Sequence, residues 1–222
     1  MDGHTLRCYG PRVPRLRTRT IAAVALSTLF VGLAWLGPLV GATSGPFVEP
    51  APEGPAEVSL RDALSTAAAR HGDRPCVRSG DRFTCGASPW LWVGRYLGRV
   101  TSNDGPAWRP CIWAHPPDPR GNLPVPVTVT FPRVLLRGDL HGEAAILDVP
   151  HTGDPVAFTI RIGQRQRARL TLTDGRDGDR RWQTWTVPAG TEAGRREDVT
   201  FEISTSHPSW RQVCFTAFVG PG

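Results

Sequence analysis

The stretch that decides the fold is 155–174, PVAFTIRIGQRQRARLTLTD. Apolar and polar side chains alternate from Val156 to Ile162, and they alternate again from Ala168 to Leu172. A period of two places the apolar side chains of a strand on one face. The two halves therefore predict paired antiparallel strands, 155–163 and 167–173, each with one face on a core.

The same alternation recurs along the chain, and turn signals such as Asp174-Gly175 and Pro188-Ala189-Gly190 separate the segments. The other predicted strands are 90–100, 110–114, 125–131, 144–149, 182–187, 198–204 and 211–219. No helical pattern lies between them, which excludes a doubly wound α/β fold, and 24 Gly with 22 Pro argue against a helical bundle. The fold class is mainly β, a two-sheet antiparallel β-sandwich of jelly-roll type.

One short surface helix is predicted ahead of the strands, over 59–70. Ser59 and Asp62 resemble a capping box, and apolar residues at helical spacing follow from Leu60 onward. Gly72 supplies a stop signal. Most of the apolar stripe is alanine, which favours a position on the surface of the domain.

The positive charge is concentrated at the N-terminus. The chain has 26 basic and 20 acidic residues, and the arm 1–20 contains five Arg against a single acid, Asp2. A nucleic-acid-binding domain concentrates its charge in the folded part, so no nucleic-acid partner is expected.

An uncharged apolar run, 21–42, follows the basic arm. As a helix, 21–40 would be about 30 Å long, which matches the hydrocarbon thickness of a bilayer. The Arg-rich flank predicts a cytoplasmic N-terminus and export of everything that follows. The run is longer than the ~7–15 residues of a signal-peptide core, which favours a retained signal-anchor in the lipid bilayer. The alternative is a signal peptide cleaved near Ala42, which would release a secreted or periplasmic protein.

The predicted organisation after the membrane segment is a linker followed by one exported domain. The linker, 43–56, is rich in Pro and therefore favours a stiff, extended spacer. The domain then spans 57–222.

Four cysteines fall in the exported part, where disulfides persist. They allow three pairings. The turn at Ser79-Gly80-Asp81 favours Cys76–Cys85, which leaves Cys111–Cys214. A zinc site is the alternative, but the chain contains no C-x-x-C spacing, so no metal or other cofactor is predicted.

The sequence contains no G-x-S-x-G, H-E-x-x-H or P-loop motif. One alternative is nevertheless an exported hydrolase or metal-dependent enzyme, with candidate groups His115, His141, Asp148 and His151, and Glu143 beside His141. Local hydrogen bonding of these loop residues is the simpler interpretation.

Tryptophans supply the candidate binding residues. Seven lie beyond the predicted membrane segment, more than a sandwich core needs. Trp182 and Trp185 have opposite parity on one strand, so one faces outward if the other is buried. The predicted ligand site is one of these rings with polar neighbours Gln183, Asp177 and Arg181, since sugars need a stacking face and directional hydrogen bonds.

Four segments resemble the galactose-binding-like β-sandwich (jelly-roll) superfamily, namely GDLHGEAAILDVP (138–150), 155–174, RWQTWTVP (181–188) and DVTFEISTSHPSWRQVCFTAFV (198–219). The resemblance covers about residues 111–219. It implies a jelly-roll sandwich and, as an expectation, carbohydrate binding. The sequence therefore predicts a single-pass envelope protein with a non-catalytic exported domain that binds a glycan or another envelope component.

Overall fold

The structure, a computed structural model, describes residues 57–86, 88–102, 105–117, 123–148, 153–173 and 181–220. The basic arm, the predicted membrane segment 21–42 and the linker 43–56 lie outside these residues. Within the part of the chain that is described, no helix is long and apolar enough to cross a membrane. All of the described residues belong to the predicted exported domain.

Short strands dominate the described residues, with two 3-10 helices at Asp62–Thr66 and Gly190–Glu192. The strands are β1 Val58–Ser59, β2 Ala68–His71, β3 Arg74–Pro75, β4 Val77–Ser79, β5 Arg82–Thr84, β6 Trp92–Ser102, β7 Gly105–Ala114, β8 Val127–Leu135, β9 Leu140–Ile146, β10 Val156–Ile162, β11 Arg165–Leu172, β12 Gln183–Val187, β13 Arg196–Ser204, β14 Val213–Phe215 and β15 Phe218–Val219. Every predicted strand overlaps an observed one, and the last overlaps both β14 and β15.

The strands form two antiparallel sheets, which confirms the predicted sandwich class. The larger sheet has the order β1-β15-β9-β14-β7-β6-β5-β4, with β12 also paired to β9. The smaller sheet has the order β11-β10-β13-β8-β2-β3. From β8 to β14 the chain passes repeatedly from one sheet to the other, and only the β10–β11 hairpin stays in the same sheet. This alternation is the jelly-roll type of connection.

The core lies between the two sheets, and aromatic rings from both fill its centre. Phe158 and Phe201 of the smaller sheet pack against Phe215 of the larger one, with ring centroids 5.2 and 4.8 Å from Phe215. Trp185 of β12 joins the same group at 6.0 Å from Phe201. These are the apolar positions of the alternating strands, so the period-two pattern did identify the buried face.

The predicted surface helix over 59–70 is wrong. The segment contains the last residue of β1, a 3-10 turn and the beginning of β2. The Ser59 hydroxyl does accept the N–H of Asp62, at 3.4 Å, as a helix cap would. However, Ala69 is buried opposite Val129 of β8, and β2 pairs with β8 along its whole length. Pairing with the sheet edge and burial of alternate residues outweigh the helical spacing of a thin alanine stripe.

Both predicted disulfides are present. Cys76–Cys85 spans the β4–β5 hairpin, where Gly80 has the positive φ that the tight turn requires. Cys111–Cys214 joins β7 to the neighbouring strand β14. Disulfide-bonded domains of this kind are typical of oxidising, extracytoplasmic compartments.

The second disulfide belongs to a separate apolar cluster on the outer face of the larger sheet. Ile112 and Ala114 face the core, whereas Cys111 and Trp113, one residue out of phase, face the opposite side. This outer-face cluster consists of Val100, Cys111, Trp113, Ala145, Leu147 and Cys214, with Trp92 and Trp182 packed against it. The disulfide packs so closely on Gly98 that a Cβ added to this glycine would lie 2.6 Å from the Cys214 sulfur.

Candidate binding sites

Three loops meet at one end of the larger sheet, because β6 and β14 are both antiparallel to β7. The residues before β6, after β7 and before β14 are therefore neighbours. Together they line a pocket of about 300 Å³, which we call the loop-end pocket. Its lining residues are Ser88, Trp90, Leu91, His115, Pro116, Pro208, Ser209, Trp210 and Gln212.

Two tryptophan rings of the loop-end pocket are open to solvent. Trp90 is 60% exposed and Trp210 is 48% exposed. Large exposed rings that share a concavity are unusual on a soluble domain, since burial is the favourable state of an indole. They form the clearest candidate for a binding surface among the described residues.

The Trp210 loop is held in a strained conformation by buried contacts. Trp210 has a φ of 62°, in the left-handed region that a bulky side chain rarely adopts. Arg211 closes the turn by donating its N–H to the Pro208 carbonyl at 2.9 Å, and its side chain is fully buried. The Arg211 guanidinium lies against Gly153, where a Cβ would be 3.0 Å from Cζ. Strain of this kind persists where the surroundings fix the backbone, and it concentrates at functional sites.

The polar side chains of the loop-end pocket are hydroxyl, amide and imidazole groups. Ser88, Ser209 and Gln212 offer hydroxyl and amide groups, and His115 adds an imidazole whose Nδ1 lies 2.7 Å from the Pro116 carbonyl. Among the described residues, no carboxylate or guanidinium lines this pocket. Flat apolar rings with neutral donors and acceptors suit a polyhydroxylated, uncharged ligand.

A carboxylate beside the Trp210 loop has a lowered pKa. His207 Nδ1 lies 2.6 Å from the Asp154 carboxylate, and this hydrogen bond is the main cause of the lowered pKa of Asp154. A hydrogen bond from Ser206 acts in the same direction. The pair links the loop that carries Trp210 to the segment that precedes β10.

The structure places the two tryptophans of the predicted site on opposite faces of the larger sheet. Trp185 is 7% exposed and belongs to the core. Trp182 lies half-buried on the outer-face cluster and donates its Nε1–H to the Ala107 carbonyl at 3.4 Å. The parity argument is thus confirmed, but neither ring is the open stacking face that the sequence predicts.

The structure describes two of the three polar members of that predicted site. Gln183 is half-buried on β12, Arg181 is exposed, and Asp177 lies outside the described residues. Ligand binding at these residues stays a prediction.

The described candidate catalytic residues do not converge as one set, and only His141 and Glu143 share a place, a cleft in the larger sheet. His115 lines the loop-end pocket, whereas His141 contacts Glu57 and Glu143 contacts Arg109 elsewhere on the larger sheet. Asp148 accepts hydrogen bonds from the Thr101 backbone and hydroxyl, at 2.7 and 2.6 Å. His151 lies outside the described residues. Among those that are described, no group of three or more His, Cys, Asp or Glu residues could hold a metal ion.

Sequence reasoning misses the importance of Trp90 and Trp210. It places Trp90 inside the predicted strand 90–100, but β6 begins two residues later. Both tryptophans follow a proline-containing turn, Ser88-Pro89 and Pro208-Ser209, and neither lies in an alternating segment. A tryptophan in a turn outside the apolar pattern is the signal that could have identified them.

No family model and no curated protein matches the chain. Among solved structures, it is similar to the cleaved adhesin domain of Lys-gingipain from Porphyromonas gingivalis, with 12% identity over 75% of this chain and 98% of that one and a TM-score of 0.41. It is also similar to part of a family GH115 4-O-methyl-alpha-glucuronidase with specificity for decorated arabinogalactans, with 11% identity over 58% of this chain and 17% of that one and a TM-score of 0.32. At these low TM-scores and identities, neither likeness identifies a ligand or an activity. The fold is assigned from the two sheets themselves.

Proposed function

We propose that the exported sandwich is a non-catalytic carbohydrate-binding domain and that the loop-end pocket holds an uncharged sugar. The observation that carries the proposal is the pairing of two exposed indole rings, Trp90 and Trp210, with neutral polar side chains in one concavity. The C–H face of a sugar ring stacks on an indole, while its hydroxyls take directional hydrogen bonds.

The size of the pocket limits the ligand. A volume of about 300 Å³ is at the lower end of the ~300–1,000 Å³ range of small-molecule sites. One or two sugar rings therefore fit, and a longer glycan would be held by its end or by a side branch. The neutral lining favours hexoses over uronic acids at this position.

The fixed conformation of the strained Trp210 loop supports a role in binding. Because the buried Arg211 side chain fixes the turn, the backbone that carries the indole does not need to be ordered when the ligand arrives. Preorganisation of this kind reduces the entropy lost on binding.

The cellular setting is the second part of the proposal. The apolar segment 21–40 would anchor the protein in the membrane with its N-terminus in the cytoplasm, and the linker 43–56 would separate the domain from the bilayer. Two disulfides support an oxidising compartment. Membership of the galactose-binding-like superfamily, as the four resembling segments suggest, agrees with this function.

A hydrolase has less support. In one cleft His141 is engaged by Glu57 and Glu143 by Arg109. Asp148 is engaged elsewhere by Thr101 and Arg99, and His115 lines the loop-end pocket. General acid–base catalysis requires groups that converge on one reacting bond.

Matched tryptophan variants test the proposal. The full-length protein is screened against an array of neutral oligosaccharides, and its best ligand is titrated against wild type, Trp90→Ala, Trp210→Ala and Trp108→Ala. Trp108 is 53% exposed but does not line the pocket, so it is the matched control. Removing a stacking tryptophan should cost at least about 2 kcal/mol, or roughly 30-fold in Kd.

The two pocket variants should therefore lose binding and Trp108→Ala should keep it. The free energy of unfolding of all three variants should lie within about 0.5 kcal/mol of the wild-type value, because the side chains are exposed. Weaker sugar binding by Trp108→Ala, together with unchanged binding by Trp90→Ala and Trp210→Ala, would contradict the proposal.

A further inference from the structure

The hairpin of β6 and β7 carries an exposed apolar patch near its turn. We call it the hairpin patch, and it consists of Leu97, Pro106, Trp108 and Pro110. The register places the four side chains on one face, because the three residues of β7 alternate and Leu97 lies opposite Pro110. Leu97 and Trp108 are each 53% exposed, and both prolines are exposed. An exposed cluster of large apolar side chains is the kind of surface that contacts a partner or a membrane.

The opposite face of the hairpin is buried, since Val100 and Cys111 point to that side and belong to the outer-face cluster. Asp148, which follows β9, also attaches the hairpin to the domain. Its N–H donates to the Arg99 carbonyl at 3.0 Å, and its carboxylate accepts the N–H of Thr101 at 2.7 Å. The hairpin is therefore held on the domain from one side, and it presents the hairpin patch on the other.

The arginines beside the hairpin patch are paired with acids of the same protein. Arg99 Nε lies 3.5 Å from the Asp148 carboxylate, and its guanidinium lies over the Trp108 ring, 5.7 Å from the centroid. Arg109, on the other face of β7, lies 3.1 Å from Glu143. These charges cancel in pairs, so the hairpin patch offers apolar area and an amphipathic indole to whatever it contacts.

The described domain begins beside the same hairpin. Glu57 lines the cleft of the larger sheet together with Pro110. Further along the chain, the Arg61 carbonyl accepts a hydrogen bond from Arg95, which lies opposite Ile112 and thus further from the turn. The direction of β1 agrees, because four antiparallel pairings separate it from β7 and the two strands therefore run the same way. The chain thus enters the domain at the turn end of the hairpin.

The loop-end pocket lies at the opposite end of the same strands. Its lining includes Trp90, which precedes β6, and His115, which follows β7. The distance along β7 from Trp108 to this end is about 20 Å, at ~3.4 Å per residue. A domain that meets a surface with the turn of the hairpin therefore keeps the loop-end pocket accessible.

The length of chain ahead of the domain favours a lipid surface as the occupant. Residues 41–56 separate the predicted membrane segment 21–40 from Glu57. In an extended polyproline conformation they reach about 50 Å at ~3.1 Å per residue. A tether of this length holds the hairpin at a high effective concentration near the bilayer, so a contact of low intrinsic affinity is sufficient. Tryptophan is also enriched at membrane–water interfaces, because its ring is apolar and its N–H is polar.

We propose that the hairpin patch contacts the lipid bilayer on its exported side, with Leu97 and Trp108 inserted at the interface and the loop-end pocket directed away from it. The occupant is a surface of zwitterionic lipid, since the charges beside the hairpin patch are paired. The inference rests on the membrane anchor of the proposed function, and it is independent of the sugar that the loop-end pocket holds.

The test uses the full-length protein in phosphatidylcholine nanodiscs, with 5-fluorotryptophan at every tryptophan and nitroxide-labelled phosphatidylcholine in the same discs. The fluorine resonances are assigned with single Trp→Phe variants, and their paramagnetic broadening is compared. Trp35 of the anchor and Trp108 should be strongly broadened, whereas Trp90 and Trp210 should keep narrow lines, because the broadening falls with the sixth power of distance. A Trp108 line as narrow as that of Trp90, beside a broadened Trp35, would overturn the proposal and assign the hairpin patch to a protein partner. A narrow Trp35 would refute the anchor itself, and the inference with it.

Matched variants separate insertion of the hairpin patch from mere proximity to the bilayer. Leu97→Asp should weaken the broadening of Trp108, since the ratio of bound to free hairpin falls about fivefold when the apolar area of a half-exposed leucine is lost. Val77→Asp is the control, because Val77 is 73% exposed on β4 of the same sheet and lies outside the hairpin patch. Broadening of Trp108 that Leu97→Asp leaves unchanged, or that Val77→Asp weakens equally, would contradict the proposal. The broadening should also persist at high salt, and its loss there would contradict an apolar contact.

Discussion

Removing the two disulfides separately should destabilise the domain by clearly different amounts. Cys111–Cys214 joins residues 103 positions apart, and Cys76–Cys85 joins residues 9 apart. In the chain-entropy model, loops of these lengths correspond to about 4.7 and about 2.6 kcal/mol at 25 °C. The double variant Cys111→Ala/Cys214→Ala should therefore lose about 2 kcal/mol more than Cys76→Ala/Cys85→Ala.

Packing should widen this difference. Cys111 and Cys214 are both fully buried in the outer-face cluster, so shortening them also leaves a cavity beside Gly98. Cys76 is only partly buried and β4 is exposed, and only Phe83 and Cys85 attach this hairpin to the core. Loss of the Cys76–Cys85 pair should loosen the hairpin without opening the sandwich.

The assay is equilibrium urea denaturation followed by tryptophan fluorescence, without reductant. The fifth cysteine of the chain, Cys8 in the arm 1–20, is replaced by Ser in every variant to prevent exchange. Wild type in excess reductant is the control, and it should be at least as destabilised as the Cys111/Cys214 variant. An equal or larger loss for the Cys76/Cys85 variant would refute the reasoning from loop length.

Two further changes test the packing and the electrostatics. Gly98→Ala should lower the free energy of unfolding by about 1–3 kcal/mol in the same urea assay, because its Cβ would lie 2.6 Å from the Cys214 sulfur. Gly86→Ala is the control and should be tolerated, because its Cβ would meet only Leu91, at 3.3 Å. Asp154 has a lowered pKa in the folded protein, so its contribution to stability is present above the unfolded value of 3.8 and is lost as pH falls through the lowered pKa. The stability difference between wild type and Asp154→Asn should therefore shrink below pH 3.8, and a difference that grows on acidification would contradict the role of the His207 contact.

The strands of the sandwich were predictable because their signal is local. In β10 and β13 every second residue is apolar, and this pattern alone identifies the buried face. The β4–β5 hairpin was predictable for a related reason, since Gly80 permits the positive φ of its turn. With that hairpin in place, the pairing of the other two cysteines of the domain followed.

The segment 59–70 was not predictable in the same way. Its alanines fit a helical stripe and an alternating strand almost equally well, and pairing with β8 decides between them. That pairing joins residues far apart in sequence, so no local sequence pattern predicts it. Local propensity is a weak guide where the apolar side chains are small.

The loop-end pocket escaped prediction because three strands assemble it. Trp90, His115 and Trp210 become neighbours only because β6, β7 and β14 are adjacent in the larger sheet. The strand order of a jelly-roll depends on long-range connections that single segments do not encode. Sequence reasoning did predict that some tryptophans serve a binding surface, but it assigned that role to rings that pack on the two apolar clusters.

The central claim is that a sugar lies against the two exposed indoles of the loop-end pocket. The most direct measurement is the set of intermolecular NOEs between the C–H protons of a bound neutral sugar and the assigned tryptophan rings of the full-length protein. We expect NOEs to Trp90 and Trp210. We expect none to Trp108, whose exposure lies between those of the two pocket tryptophans but which does not line the pocket. A bound sugar that shows NOEs to Trp108 or to other rings, and none to Trp90 or Trp210, would contradict it.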